Sequence, residues 1–124
     1  MQAPAVFEDR LRQARDAIAG ARTLLLVDGD GMVVSSVGEH SGDALDLIAA
    51  SYMDLARRAS TAGDEAGFDP PREMTVSGAS GAVVLRAIAE GYGLVAVLEP
   101  DSLVGRARFE LRKLGSLLGP ELEL

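Results

Sequence analysis

Three short stretches that are hydrophobic on both faces govern what this chain can become: Thr23-Leu24-Leu25-Leu26-Val27, Ala82-Val83-Val84-Leu85-Arg86-Ala87-Ile88-Ala89 and Tyr92-Gly93-Leu94-Val95-Ala96-Val97-Leu98. Each is short and bounded by turn residues, so each reads as a strand buried from two sides. Such strands need helices on both faces of their sheet. Two further segments are more polar. Met32-Val33-Val34-Ser35-Ser36 follows the first strand across the Asp28-Gly29-Asp30-Gly31 turn and forms a hairpin with it. Arg72 to Ser77 alternates, with Met74 and Val76 against Glu73, Thr75 and Ser77, so one of its faces is expected to be wet.

The covering helices are legible from their apolar spacing. Phe7, Leu11, Ala14 and Ile18 form one helical stripe, and Gly20 stands where that helix would stop. A long helix is predicted from about Asp43 to Ala62, with Ser41 as a candidate cap and a core stripe of Leu45, Ile48, Ala49, Tyr52, Ala56 and Ala59. Gly63 to Pro71 is a turn-rich connection. The last helix opens near Pro100-Asp101-Ser102, carries Leu103, Ala107, Leu111, Leu114 and Leu118, and is expected to end at Gly119-Pro120.

The element order is therefore α-β-β-α-β-β-β-α. Short connections make strands one and two, three and four, and four and five antiparallel neighbours. Joining the first strand to the fifth is the one arrangement that leaves the three doubly apolar strands inside and the two polar ones at the edges. The expected fold is an α/β class, α+β sandwich: a five-stranded antiparallel sheet of order 2-1-5-4-3, with one long helix on one face and the two terminal helices on the other. Residues 1–124 are expected to form one domain.

Charge and composition narrow the function. With 19 acidic against 12 basic residues the net charge is −7, a field that repels phosphate backbones. Two tyrosines, three phenylalanines and no tryptophan leave few platforms for stacking bases, so nucleic acid is not an expected partner. The absence of cysteine removes disulfides, thiolate metal sites and thiol nucleophiles, and fits a reducing compartment. Met1 to Arg10 lack the basic start and apolar core of a secretory signal, and no apolar run reaches the roughly 18 residues of a membrane span. A soluble, cytoplasmic protein without membrane insertion is expected.

Several motifs invite chemistry and fail on spacing. A calcium loop counted from Asp28 would reach Glu39 at its twelfth position, but Met32 and Val33 stand where a ligand and a glycine are required. Gly91-Tyr92-Gly93-Leu94-Val95-Ala96 resembles a loose dinucleotide fingerprint, yet it opens a strand and offers no helix N-terminus. No glycine precedes Lys113 in the manner of a phosphate-binding loop. His40, the only histidine, lacks partners for a dyad or a zinc site and is expected to be an exposed loop residue. Ser80, within Gly78-Ala79-Ser80-Gly81, does not match a nucleophile elbow. Arg106, Arg108, Arg112 and Lys113 give the last helix a basic sector that could hold an acidic partner or lipid headgroups; the favoured reading is cations near a helix C-terminus that pair with Glu110. No catalytic residue, metal or cofactor is expected.

The "LLLVDGDGMVVSS" hairpin and the "YGLVAVLEPDSLVGRARFELRKL" run, in this order and spacing, resemble the roadblock/dynein light-chain family in its bacterial, MglB-like form. The resemblance runs from about Phe7 to Gly119 and rests on order and spacing more than on any single motif. It implies a non-enzymatic homodimer, paired through the third strand and the long helix into a continuous ten-stranded sheet. It also implies that the paired long helices face a Ras-like small GTPase and regulate it, as a GTPase-activating protein that remodels its partner without an arginine finger. The alternative implied by the same family is a structural adaptor with no effect on nucleotide turnover. A ligand sensor or small enzyme of PAS-like or profilin-like shape is a third, disfavoured by the lack of convergent polar groups. On this reading Leu47, Ala50, Ser51, Asp54, Arg57 and Arg58 form the partner-binding face, and Arg72, Glu73, Met74, Thr75, Val76 and Ser77 form the dimer interface.

Overall fold

The computed structural model describes residues 3–122. Helix α1 (Ala3–Asp16) leads into the hairpin β1 (Ala21–Asp28) and β2 (Val33–Gly38). The long helix α2 (Gly42–Glu65) follows, then β3 (Glu73–Gly78), β4 (Gly81–Ile88), β5 (Tyr92–Leu98) and α3 (Val104–Leu122). The strands form one antiparallel sheet in the order β2-β1-β5-β4-β3, as the burial argument requires.

Strand periodicity distributes β1 between two cores. Leu24 and Leu26 enter the layer beneath α1 and α3, with Phe7, Leu11, Leu111, Leu114 and Leu118 among their companions. Leu25 and Val27 enter the layer beneath α2, with Leu45, Ala49, Met53, Leu85 and Val95. Leu24, Leu25 and Leu26 are wholly buried, and full burial of such a side chain contributes roughly 1.5–3 kcal/mol, which fixes β1 as an interior strand. Among the described residues no helix is long and apolar enough to cross a membrane.

Element ends and stripes differ from expectation where burial outweighs local signals. Helix α1 ends at Asp16, and Ile18, though buried, lies in the turn that follows. Ser41 occupies the N-cap position of α2 without a capping side-chain hydrogen bond, and the helix continues to Glu65. Met53 is the third fully packed residue of α2, four positions after Ala49, whereas Ile48, Tyr52 and Ala56 are only half-buried. Leu103 is exposed and lies just before α3. Gly119-Pro120 does not end α3: burial of Leu118 and packing of Leu122 carry the helix through the proline, whose missing N–H removes one helical hydrogen bond near the end.

Strand β3 departs furthest from simple alternation. Val76 remains 43% exposed, because α2 packs chiefly on β1, β2 and β5 and only borders β3. Glu73, expected on the wet face, is instead half-buried against α3.

Candidate interaction site

The outward face of α2 exposes Leu47 (67%), with Ala50 and Ser51 exposed one turn on. Asp54 accepts a hydrogen bond from Arg58 Nε at 2.9 Å and lies 3.6 Å from Arg57 Nη2. The Arg58 hydrogen bond, more than any other influence, holds the Asp54 carboxyl below its usual range. Arg57 turns toward the β1–β2 turn, its Nη1 donating to the Gly29 carbonyl at 3.0 Å. That turn abuts the helix closely: a Cβ on Gly31 would stand 3.2 Å from Ala50 Cα. The hairpin and α2 therefore present one continuous surface.

The register settles which side chains of β3 share that surface. Met74 lies opposite Leu85 and Val76 opposite Val83, both on the α2 side of the sheet. Ser51, Tyr52, Asp54, Leu55, Arg58 and Val76 line one recess of about 380 Å³. A second recess of about 390 Å³ also includes Tyr52 and Val76 and extends along the β3–β4 turn. Part of the face expected to bind a partner thus meets the strand expected to self-associate. Leu55, 38% exposed, belongs to this surface and was not among the expected residues. Its signal was available, since Leu47, Ser51 and Leu55 follow at four-residue spacing on one helical face.

Strand β3 pairs with β4 on one side and, among the described residues, with no strand on the other. Thr75 and Ser77 are exposed, and so is Arg72, whose carbonyl accepts the Ala87 N–H at 2.9 Å. Glu73, on the same face of the strand as Thr75 and Ser77, is covered by α3. Its carboxylate receives Arg108 Nε at 3.1 Å and Nη2 at 3.0 Å, and Arg86 Nη1 stands 3.9 Å off. The Arg108 hydrogen bonds are the main reason its carboxyl lies below the ordinary range.

The remaining motifs have structural employments. Asp28 Oδ1 accepts the amides of Asp30 at 2.9 Å and Met32 at 3.0 Å, closing the hairpin turn. Among the described residues no group of three or more His, Asp or Glu is placed to hold a metal. Gly91 sits in the β4–β5 turn, and Gly93 within β5 pairs with both Val27 and Ala87. Ser80 lies in the β3–β4 turn. His40 is half-buried, contrary to expectation: Thr23 Oγ1 accepts its amide at 3.1 Å and pairs with its Nδ1. Wholly buried Thr23 needs a partner for its hydroxyl, and His40 supplies it. The basic sector of α3 divides. Arg106 and Lys113 hold the buried carboxylate of Glu110 at 2.9 and 3.3 Å, while Arg108 leaves the helix for Glu73.

The pattern of the Roadblock/LC7 domain matches residues 8–98. The chain belongs to the Roadblock/LC7 family. Its fold is similar to that of a Roadblock/LC7 domain from Streptomyces avermitilis, at TM-score 0.87 and 20% identity over 94% of this chain and 98% of that one. An MglB with a tetrameric arrangement is similar at TM-score 0.86 and 18% identity, over 94% and 88% of the two chains. Myxococcus xanthus MglB is similar at TM-score 0.82 and 18% identity, over 99% and 96%. No curated protein matches the chain in sequence.

Proposed function

We propose that residues 1–124 act as one roadblock domain that forms a homodimer and regulates or scaffolds a Ras-like small GTPase, without catalysis of its own. The observation that carries this reading is the apolar recess shared by α2 and β3, where Tyr52, Leu55 and Val76 lie beside an edge strand with free backbone donors and acceptors. A second copy related by a two-fold axis would add its own β3 there and extend the sheet to ten strands. The face of Leu47, Ala50, Ser51, Asp54, Arg57 and Arg58 would then meet the GTPase, with Leu47 as its apolar anchor and Ser51, Asp54 and Arg58 at its border with the dimer seam. Membership of the Roadblock/LC7 family, with MglB chains among the structural neighbours, supports a regulatory role toward a small GTPase at the coarse level. A cytoplasmic location accords with such a partner.

The test first captures small GTPases by co-purification with the unmodified chain and then assays a Leu47→Asp variant with the one retained. Loss of binding and of any effect on GTP hydrolysis, with self-association intact, is expected. Unchanged binding and hydrolysis would refute the assignment of this face. Tight binding with no change in hydrolysis by the unmodified protein would instead establish the adaptor role.

A further inference from the structure

On the face opposite α2, a single carboxylate serves three guanidinium groups. Glu73 is held by Arg108 through two hydrogen bonds, and Arg86 approaches to 3.9 Å. Arg112, one helical turn beyond Arg108 on the same flank of α3, adds to the positive field on that carboxylate. Among the described residues Arg112 itself forms no ion pair. Three cations against one carboxylate leave a local surplus of two positive charges, on a chain whose net charge is −7.

The backbone explains how these groups converge. Helix α3 crosses β4 at Gly115, where a Cβ would stand 2.6 Å from Ile88 Cγ2, so a larger residue would force Ile88 to move. Beside the crossing lies a recess of about 210 Å³ walled by Arg86, Ala87, Ile88, Arg112, Gly115 and Ser116. Two of its walls are guanidinium groups and a third carries a hydroxyl. None is aromatic, so the recess offers no ring on which a nucleobase could stack.

We propose that Arg86, Arg112 and Ser116 form an oxyanion site for a phosphate monoester. Guanidinium forks match phosphate oxygens in geometry, and a dianion neutralises the surplus that a single carboxylate would halve. Ser116 Oγ donates to the Arg112 carbonyl at 3.2 Å and can rotate its proton toward an incoming oxygen. An anion seated there bridges β4 and α3 and leaves the Arg108–Glu73 pair in place. The recognised group is the phosphate itself, whether free or carried on a small ester. A flat anionic membrane is disfavoured, because the acidic remainder of the molecule repels it.

The test is a ¹⁵N-resolved titration of the full chain with inorganic phosphate, with O-phosphoserine, and with phosphatidylcholine vesicles containing phosphatidic acid. Free phosphate and phosphoserine are expected to shift the amides of Ile88 and Gly115 saturably, with an affinity that falls as salt rises. Arg112→Gln, which removes no ion pair seen among the described residues, is expected to weaken binding about tenfold or more. Ser116→Ala is expected to weaken it less, and it guards against a folding defect in the first variant. Three results would overturn the site: no saturable shift with free phosphate, binding to the vesicles alone, or a response mapped to Arg57 and Arg58 that survives Arg112→Gln.

Discussion

Simultaneous truncation of Leu55 and Val76 to alanine probes the shared recess directly. In the isolated chain these side chains are 38% and 43% exposed. Taking roughly 2 kcal/mol for complete burial of either side chain, covering the remaining exposed part contributes a little under about 1 kcal/mol at each position. A two-fold interface uses each position twice. Alanine retains the Cβ and keeps about a third of that gain, so the double variant should lose about 2 kcal/mol per dimer, close to a 30-fold weaker dissociation constant. Because both side chains already lie at the surface, the fold of each copy should lose less than about 1 kcal/mol per substitution. Sedimentation velocity over a wide concentration series reads the dimer constant, and thermal unfolding of dilute protein reads the fold. A dimer constant unchanged within a factor of about three would refute the reasoning, since the apolar recess would then contribute nothing to association.

Two further expectations concern the fold. The Glu73 carboxyl lies below its ordinary range, so its ion pair contributes stability that is fully present above the unfolded value near about 4.3 and is lost as pH falls through the lower folded value. With Arg108 half-exposed this contribution is at most about 1 kcal/mol, so the melting temperature should fall by a few degrees between about pH 5 and pH 3. The fall should be shallower in Glu73→Gln, and parallel curves for the two proteins would contradict the assignment. Thr23→Val removes the buried acceptor of the His40 amide and should cost about 1–2 kcal/mol by chemical denaturation. A neutral result would mean that water serves His40 equally well.

The topology was readable because three strands are hydrophobic on both faces, a property that admits few arrangements once connections are short. Leu24 to Val27 alone require helices on two sides, and the structure supplies them. Misreadings arose where a local signal competed with a distant partner. Pro120 reads as a stop, yet the burial of Leu118 and the packing of Leu122 decide otherwise. Glu73 reads as solvated because its neighbours alternate, but its fate depends on Arg108, 35 positions away. His40 looks idle beside Glu39 and Ser41, while its partner Thr23 is 17 positions upstream. Leu55 was overlooked although its spacing from Leu47 was available, because the breadth of the helix face left uncovered depends on how far α2 stops short of β3.

The bidentate clasp between Glu73 and Arg108 has a bearing on how an edge strand greets a newcomer. A free edge normally frays, and straightening each residue costs about 1–2 kcal/mol in backbone entropy at the moment of docking. Here α3 holds the first residue of β3, so on the proposed pairing an arriving strand would find that end of its template already extended. That part of the ordering would be completed during folding and would not burden the encounter.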